Sequence, residues 1–216
     1  MILKRIKVDV GTMLGENCYI IQDEHTKETM IIDPGCMTEE LREMIEALDV
    51  KLKYILLTHC HADHINGAEQ IKQEYGGKIL VHREDAEGLQ KPEINLCYYI
   101  GLENISVKAD SRLNDGDLLH IDGMEFKVIY TPGHTNGSIC LYCEKEKLLF
   151  SGDTLFRGTW GRTDLPTSSF ENVIHSITDR LMTLPEDTIV YPGHGKSTMI
   201  QEEKPIYLEM KQKEWE

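Results

Sequence analysis

The chain has 216 residues with 37 acidic and 23 basic side chains, a formal net charge of −14, and six cysteines. That length supports one sizeable core and no Ser/Gly/Pro-rich linker divides it, so a single domain over 1–216 is expected, its halves near 1–110 and 111–216 repeating one another in layout. The acidity argues against a nucleic-acid partner, no apolar run approaches the roughly 20 residues of a membrane span, and cysteines without a disulfide framework point to a reducing cytoplasm.

From Ile6 the first segment alternates apolar and charged residues and reads as a strand, followed by a turn at 11–15. Residues 18–22 and 29–32 form a hairpin. Thr38 caps a helix with Glu39 and Glu40 in its positive first turn and Leu41, Ile45 and Leu48 on one face. The short apolar run 54–57 is a buried strand, and it leads into Thr58-His59-Cys60-His61-Ala62-Asp63-His64. Three imidazoles and a carboxylate at the mouth of a buried strand are costly unless a cation collects them. His59 and His61, two apart, point to one side and can share an ion. Asp63 and His64 are adjacent and are expected to diverge, which suggests a second metal beside the first. The bland alternative is a polar loop with coincidental histidines.

A helix with Ala68, Ile71 and Tyr75 then runs to Gly76-Gly77, and 79–81 is another buried strand. From 83 to 106 the pattern is poor. The apolar, aromatic stretch 96–102 reads as core filling in preference to a flap over the substrate. Beyond Leu113, Asp122-Gly123 joins 118–121 to 124–130 as a hairpin, and 139–143 pairs with 148–151. Phe170, Val173, Ile174, Ile177 and Leu181 make a helical face, and the chain ends in a helix broken by Pro205. Further strand ends run into Thr131-Pro132-Gly133-His134, Ser151-Gly152-Asp153 and Pro192-Gly193-His194, each a Gly-bearing turn with a metal-ligand side chain. Such loops on a rigid scaffold are where function gathers. The pattern alone supports a mixed α and β chain, and two mostly antiparallel sheets facing each other with helices outside would satisfy that layout.

His59 to His64 form the HxHxDH signature, and with His134, Asp153 and His194 the chain resembles the metallo-β-lactamase superfamily. Asn17-Cys18-Tyr19, Asp33-Pro34-Gly35, Gly152-Asp153-Thr154-Leu155-Phe156 and Gly161-Arg162-Thr163-Asp164-Leu165-Pro166 look like its glyoxalase II-like branch, which hydrolyses thioesters. The resemblance implies an αββα four-layer sandwich of two facing mixed sheets. It also implies a first metal on His59, His61 and His134, a second on Asp63, His64 and His194, and Asp153 bridging them. Zinc is the expected ion, with iron or manganese as alternatives. The implied activity is hydrolysis of small-molecule thioesters such as S-2-hydroxyacylglutathione by a metal-bridged hydroxide, with Asp63 orienting that hydroxide. Only about 20 residues follow His194, where glyoxalase II carries a helical region that grips glutathione. An open site follows, with S-lactoylglutathione and simpler thioesters hydrolysed within roughly tenfold of one another. Thr167-Ser168-Ser169 stands where related short proteins usually have a Gly-Gly-Ser-like turn.

Other candidates divide between chemistry and packing. Cys140 and Cys143 lie three apart in a strand, so they face opposite sides and are not a redox pair. Cys60 reads as a bystander, and His25, His82, His120 and His175 lack matching partners. Arg157 and Trp160 are candidate substrate contacts, whereas Arg162 reads as a structural partner of Asp164. Two rivals to the hydrolase are a mononuclear iron persulfide dioxygenase, which shares the histidine motif by resemblance, and a metal-binding interaction module without activity.

Overall fold

The computed structural model describes residues 1–10 and 15–213. The turn expected at 11–15 therefore lies outside the described residues except for Gly15. In chain order the elements are β1 (Ile2–Val8), β2 (Glu16–Gln22), β3 (Glu28–Ile32), α1 (Glu39–Ala47), β4 (Lys51–Leu56), α2 (Ala62–Ile65), α3 (Ala68–Tyr75) and β5 (Lys78–His82). After them come α4 (Pro92–Asn95), β6 (Ser111–Leu113), β7 (Leu118–Ile121), β8 (Met124–Tyr130), β9 (Ile139–Cys143), β10 (Leu148–Gly152), β11 (Leu155–Phe156) and β12 (Thr159–Trp160). The chain closes with α5 (Phe170–His175), β13 (Ile189–Pro192), β14 (Thr198–Met199) and α6 (Ile200–Lys213). Among the described residues no helix is long and apolar enough to cross a membrane.

Two sheets form, ordered β1-β2-β3-β4-β5-β6 and β14-β13-β10-β9-β8-β7, with β11 and β12 as a separate ribbon. Alternate residues of the central strands serve different layers. Tyr19, Met30, Ile32, Leu56 and Leu80 of the first sheet meet Phe126, Val128, Leu141 and Phe150 of the second in the layer between them. Their neighbours Ile20, Ile31, Ile55 and Ile79 face outward onto Leu41 and Ile45 of α1 and Ile71 of α3. On the opposite outer face Ile129, Cys140, Leu149 and Val190 pack against Val173, Ile174, Ile177 and Tyr207. Strands covered on both faces read as unbroken apolar runs, which is why the central strands lack polar alternation. The result is the αββα sandwich. Cys140 and Cys143 fall into different layers, as their spacing requires.

The first sheet is less antiparallel than expected, because β3/β4, β4/β5 and β5/β6 are parallel. The helices α1 and α3 are the crossovers that parallel neighbours need. In the second sheet β10 and β13 are parallel and the other pairs antiparallel. The parallel pairs carry the C-terminal ends of β3 and β4, and of β10 and β13, to shared edges where the sheets meet.

Local expectations met the structure unevenly. Thr38 caps α1 by accepting from the Leu41 amide at 3.1 Å. Phe170, placed on the buried helical face by its spacing, is exposed and leans on Trp160, because it is the first residue after the Ser169 cap. After α5 the helix widens into a π-type turn over Ser176–Leu181. Pro205 does not break α6, which runs through it; near the helix start the missing N–H forfeits a single bond. Thr167 sits at φ 67, so the left-handed backbone of a glycine turn is kept without the glycine.

Candidate metal centre

The site is built at the strand ends. Asp33 follows β3 at φ 50, a left-handed conformation that Asp tolerates better than most residues. Its carboxylate accepts from the Thr58 amide at 2.7 Å and the Thr58 hydroxyl at 2.6 Å, fixing the chain as it leaves β4. Asp85, beyond β5, is buried and accepts from the Cys60 amide at 2.9 Å, the Thr135 hydroxyl at 2.7 Å and the Gly137 amide at 2.7 Å. It ties the first histidine loop to the loop of His134. A side chain at Gly137 would overlap this carboxylate, so the clamp needs glycine there.

Among the described residues ligand atoms gather in three groups, each within 4.8 Å: His59, His61 and His134; Asp63, His64 and His194; and, bridging these two from behind, Asp33 with His59 and His64. In the first, His61 Nδ1 lies 2.9 Å from His134 Nε2. In the second, His64 Nε2 lies 3.2 Å from His194 Nε2, which is 3.3 Å from Asp63 Oδ2. Asp153 stands between the groups, with Oδ1 3.4 Å from His64 Nε2 and Oδ2 3.6 Å from His134 Nε2 and 3.5 Å from His194 Nε2. Gly193 lets Asp153 and His64 close in, since a Cβ there would overlap both. The expected divergence of Asp63 and His64 is not seen. Both lie on α2, and a helical turn sets neighbouring side chains about 100° apart instead of on opposite sides.

The outer ring nitrogens are engaged. His64 Nδ1 donates to Asp33 at 3.0 Å, His134 Nδ1 to the Arg162 carbonyl at 2.8 Å and His194 Nδ1 to the Gly15 carbonyl at 2.7 Å. The Thr58 hydroxyl, its proton on Asp33, accepts from His59 Nδ1 at 3.1 Å. Each such bond turns the other ring nitrogen inward, as a lone pair where the ring is neutral. His59 Nε2 and Asp153 Oδ1 are then buried without a hydrogen-bond partner, and the inward nitrogens of His64 and His194 face each other across 3.2 Å, where an ion would displace any proton between them. Buried acceptors opposed in this way fit a cation and little else. With the fold, these His/Asp clusters imply divalent metals.

Electrostatics separate the groups. Burial and then the surrounding imidazoles push His59 well below the ordinary histidine range; burial and then His134 do the same to His61. Burial opposes charge on His64 too, but Asp153, Asp63 and Asp33 outweigh it and raise its pKa well above that range. Asp63 is held below the ordinary carboxylate range, its burial overcome by His64 and His194.

A cavity of about 530 Å³ opens on His61, Asp63, His134, Asp153 and His194. Its other walls are Ala62, Asn95, Leu96, Tyr99, Ile100, Phe156, Arg162 and Leu165. Segment 83–106 thus divides between the two readings: Leu89, Cys97 and Ile105 fill the outer core, while Leu96, Tyr99 and Ile100 face the cavity. Arg157 and Trp160 are not among the lining residues. Arg157 is exposed beside Glu202 at 3.8 Å, and Trp160 packs on Phe170 and Tyr207. Arg162 pairs with Asp164 through two contacts of 2.9 Å and also lines the cavity. Cys60 is buried in the outer core beneath the site, its thiol pushed up by burial and then Asp85. His82 stacks on Tyr130, and His175 lies 3.3 Å from Asp179. The reading of the sequence missed Asp85 altogether, since one acidic residue in an irregular stretch carries no signal.

Comparisons with known proteins agree with this geometry. The chain is 40% identical over 201 residues to hydroxyacylglutathione hydrolase GloC of Haemophilus influenzae, covering 92% of this chain and 94% of that protein. Among solved structures it is similar to BLEG-1, described as a B3 metallo-beta-lactamase, at TM-score 0.86 and 33% identity, covering 94% of this chain and 97% of the other. It is also similar to TTHA1623, solved in a di-iron-bound form, at TM-score 0.78 and 30% identity, covering 93% and 96%. The profile of the Metallo-beta-lactamase superfamily matches residues 11–194, which end at the last of the clustered histidines, and the chain belongs to that superfamily.

Proposed function

We propose that this superfamily hydrolase is a binuclear thioesterase that accepts S-2-hydroxyacylglutathiones, with zinc in both positions. The observation that carries this reading is the pair of ligand groups joined through Asp153 at the floor of an open cavity. The name of the Haemophilus relative supports the substrate class. His59, His61 and His134 would hold one ion, Asp63, His64 and His194 the other, and Asp153 both. When bound, such a pair supplies a polarised carbonyl and a water acidic enough to yield hydroxide near neutral pH.

The protein's own groups do the rest. Asp63 stays ionised and lines the cavity, so its carboxylate accepts a hydrogen bond from the attacking water and orients it. The rings of His134 and His194 donate from Nδ1 to main-chain carbonyls, which locks them with Nε2 aimed inward. A thiol leaving group has a pKa of about 8.5, so it departs as thiolate without a strong general acid.

The test is metal content per chain in protein purified without added metal, together with turnover of S-lactoylglutathione. Two zinc equivalents with hydrolysis are expected. One iron per chain with oxygen uptake on glutathione persulfide would sink the proposal, as would β-lactam hydrolysis with no thioester turnover.

A further inference from the structure

The cavity walls differ sharply from its floor. Opposite the ligand groups stand Leu96, Tyr99, Ile100, Phe156 and Leu165. Among the described lining residues, Arg162 is the one guanidinium or ammonium, and both its contacts of 2.9 Å go to Asp164. An anionic arm of a substrate would find no uncommitted cation there. A three-carbon hydroxyacyl group would also leave most of about 530 Å³ empty, since cavities of this size enclose drug-sized molecules.

The wall is held in place by its own backbone. Leu96 adopts φ 62, a left-handed conformation unfavourable for a leucine, and Gly101 at φ 76 closes the same turn. Asn95 fixes the bend from beneath: it is fully buried, its amide donates to the Leu89 carbonyl at 3.3 Å and the Ile105 carbonyl at 3.1 Å, and its oxygen accepts from the Cys97 amide at 3.1 Å. Strain kept at a cavity edge by an anchored residue marks a position where function outweighs local preference. What the strain secures is a row of apolar side chains, with Tyr99, a residue 73% exposed, at its edge.

We propose that this wall is a binding site for an apolar arm of the thioester, so the preferred substrates carry an alkyl or aryl chain and not only a small hydroxyacyl group. The inference rests on the thioesterase reading. The apolar arm belongs either to the acyl group or to the thiol, and the same chemistry serves both.

Two substrate series on the metal-loaded protein test it. In one, acetyl, butanoyl, hexanoyl and octanoyl esters share the neutral thiol N-acetylcysteamine; in the other, the acetyl group is constant and ethyl, butyl and benzyl thiols vary. Full burial of a methylene corresponds to about fourfold in kcat/KM, so a rise of about twofold to fourfold per methylene is expected in one series, which identifies the arm. Leu96→Asn should flatten that slope below about 1.5-fold per methylene, because Asn suits the left-handed backbone but not the apolar contact. Equal kcat/KM across both series, with hydrolysis intact, overturns this inference alone. Absence of hydrolysis from every ester overturns the thioesterase reading and this inference with it.

Discussion

The two ligand groups have the same number of donors but differ in charge and in how they are supported. His59, His61 and His134 are imidazoles alone, and burial already keeps His59 and His61 neutral. Their nearest carboxylate acts through the backbone, since Asp85 holds the Cys60 and Gly137 amides, and Asp33 reaches the His59 ring only through the Thr58 hydroxyl. Asp63, His64 and His194 include a carboxylate, and Asp33 bonds directly to the His64 ring. Glu16 adds a further acid at the start of β2, buried with both oxygens unpartnered and directly after the Gly15 carbonyl that holds His194. The first group is a preshaped neutral pocket. The second is an acidic one whose imidazoles are drawn toward protonation, so an ion entering it must displace protons.

Asp153 belongs to both groups, so removing it should have the largest effect. Asp153→Ala is expected to lower kcat/KM at least about a hundredfold and to reduce metal content below two per chain. Near-normal turnover with two ions bound would show that the groups do not depend on a shared carboxylate.

The supporting carboxylates offer a finer division. Asp85→Asn should weaken binding at the His59, His61 and His134 position by about tenfold to a hundredfold with the other little changed, whereas Asp33→Asn, which touches His64 directly and His59 through Thr58, should weaken both. Competition against a chromophoric chelator reads both affinities. If Asp85→Asn weakened both positions equally, the groups would act as one unit.

Glu16 sharpens the contrast through pH. Burial drives its pKa well above 4.5, and Asp33, Asp63 and Asp153 add to that against the opposing influence of His64. In metal-free protein the folded state therefore keeps this proton at pH values where the unfolded chain releases it, and stability falls as pH rises above the unfolded value. Glu16→Gln has no such proton. Its Tm relative to wild type should climb as pH increases from 4 to 7, measured on chelator-treated protein; a difference independent of pH would mean that Glu16 is ionised in the fold.

Positions away from both groups should matter least. Arg157→Ala is expected to change kcat/KM by less than about twofold, because the side chain is exposed and lies off the cavity. A large change would return Arg157 to the substrate.

What could be read from the residues alone follows from how local each signal is. The HxHxDH run and the Gly-bearing turns at His134, Asp153 and His194 are short-range patterns, and all converge. The apolar runs gave the central strands for the same reason. Parallel pairing of β3 with β4 escaped notice, since pairing direction is set by where α1 carries the chain and not by the strand residues themselves. Phe170 misled because it continues a helical spacing from a position where the helix has barely begun. Asp33 was visible only as part of a turn motif, and Asp85 not at all; their roles exist through partners 25 and 50 residues away. Arg157 and Trp160 looked relevant by proximity in sequence to Asp153, but the β11/β12 ribbon carries them off the cavity.

The bond from His194 to the Gly15 carbonyl spans 179 residues, and Asn17 reinforces it through its side chain to the carbonyls of Pro192 and Gly195 and its amide to Gly193. Nearly the whole polypeptide is enclosed by that contact, so closing it has to overcome the loop entropy of everything between unless other contacts have already shortened the path. His59 and His61 can meet early, on a loop of their own. The acidic group cannot exist before the seam between β2 and β13 is stitched, so its complete form is a report that the two sheets have joined.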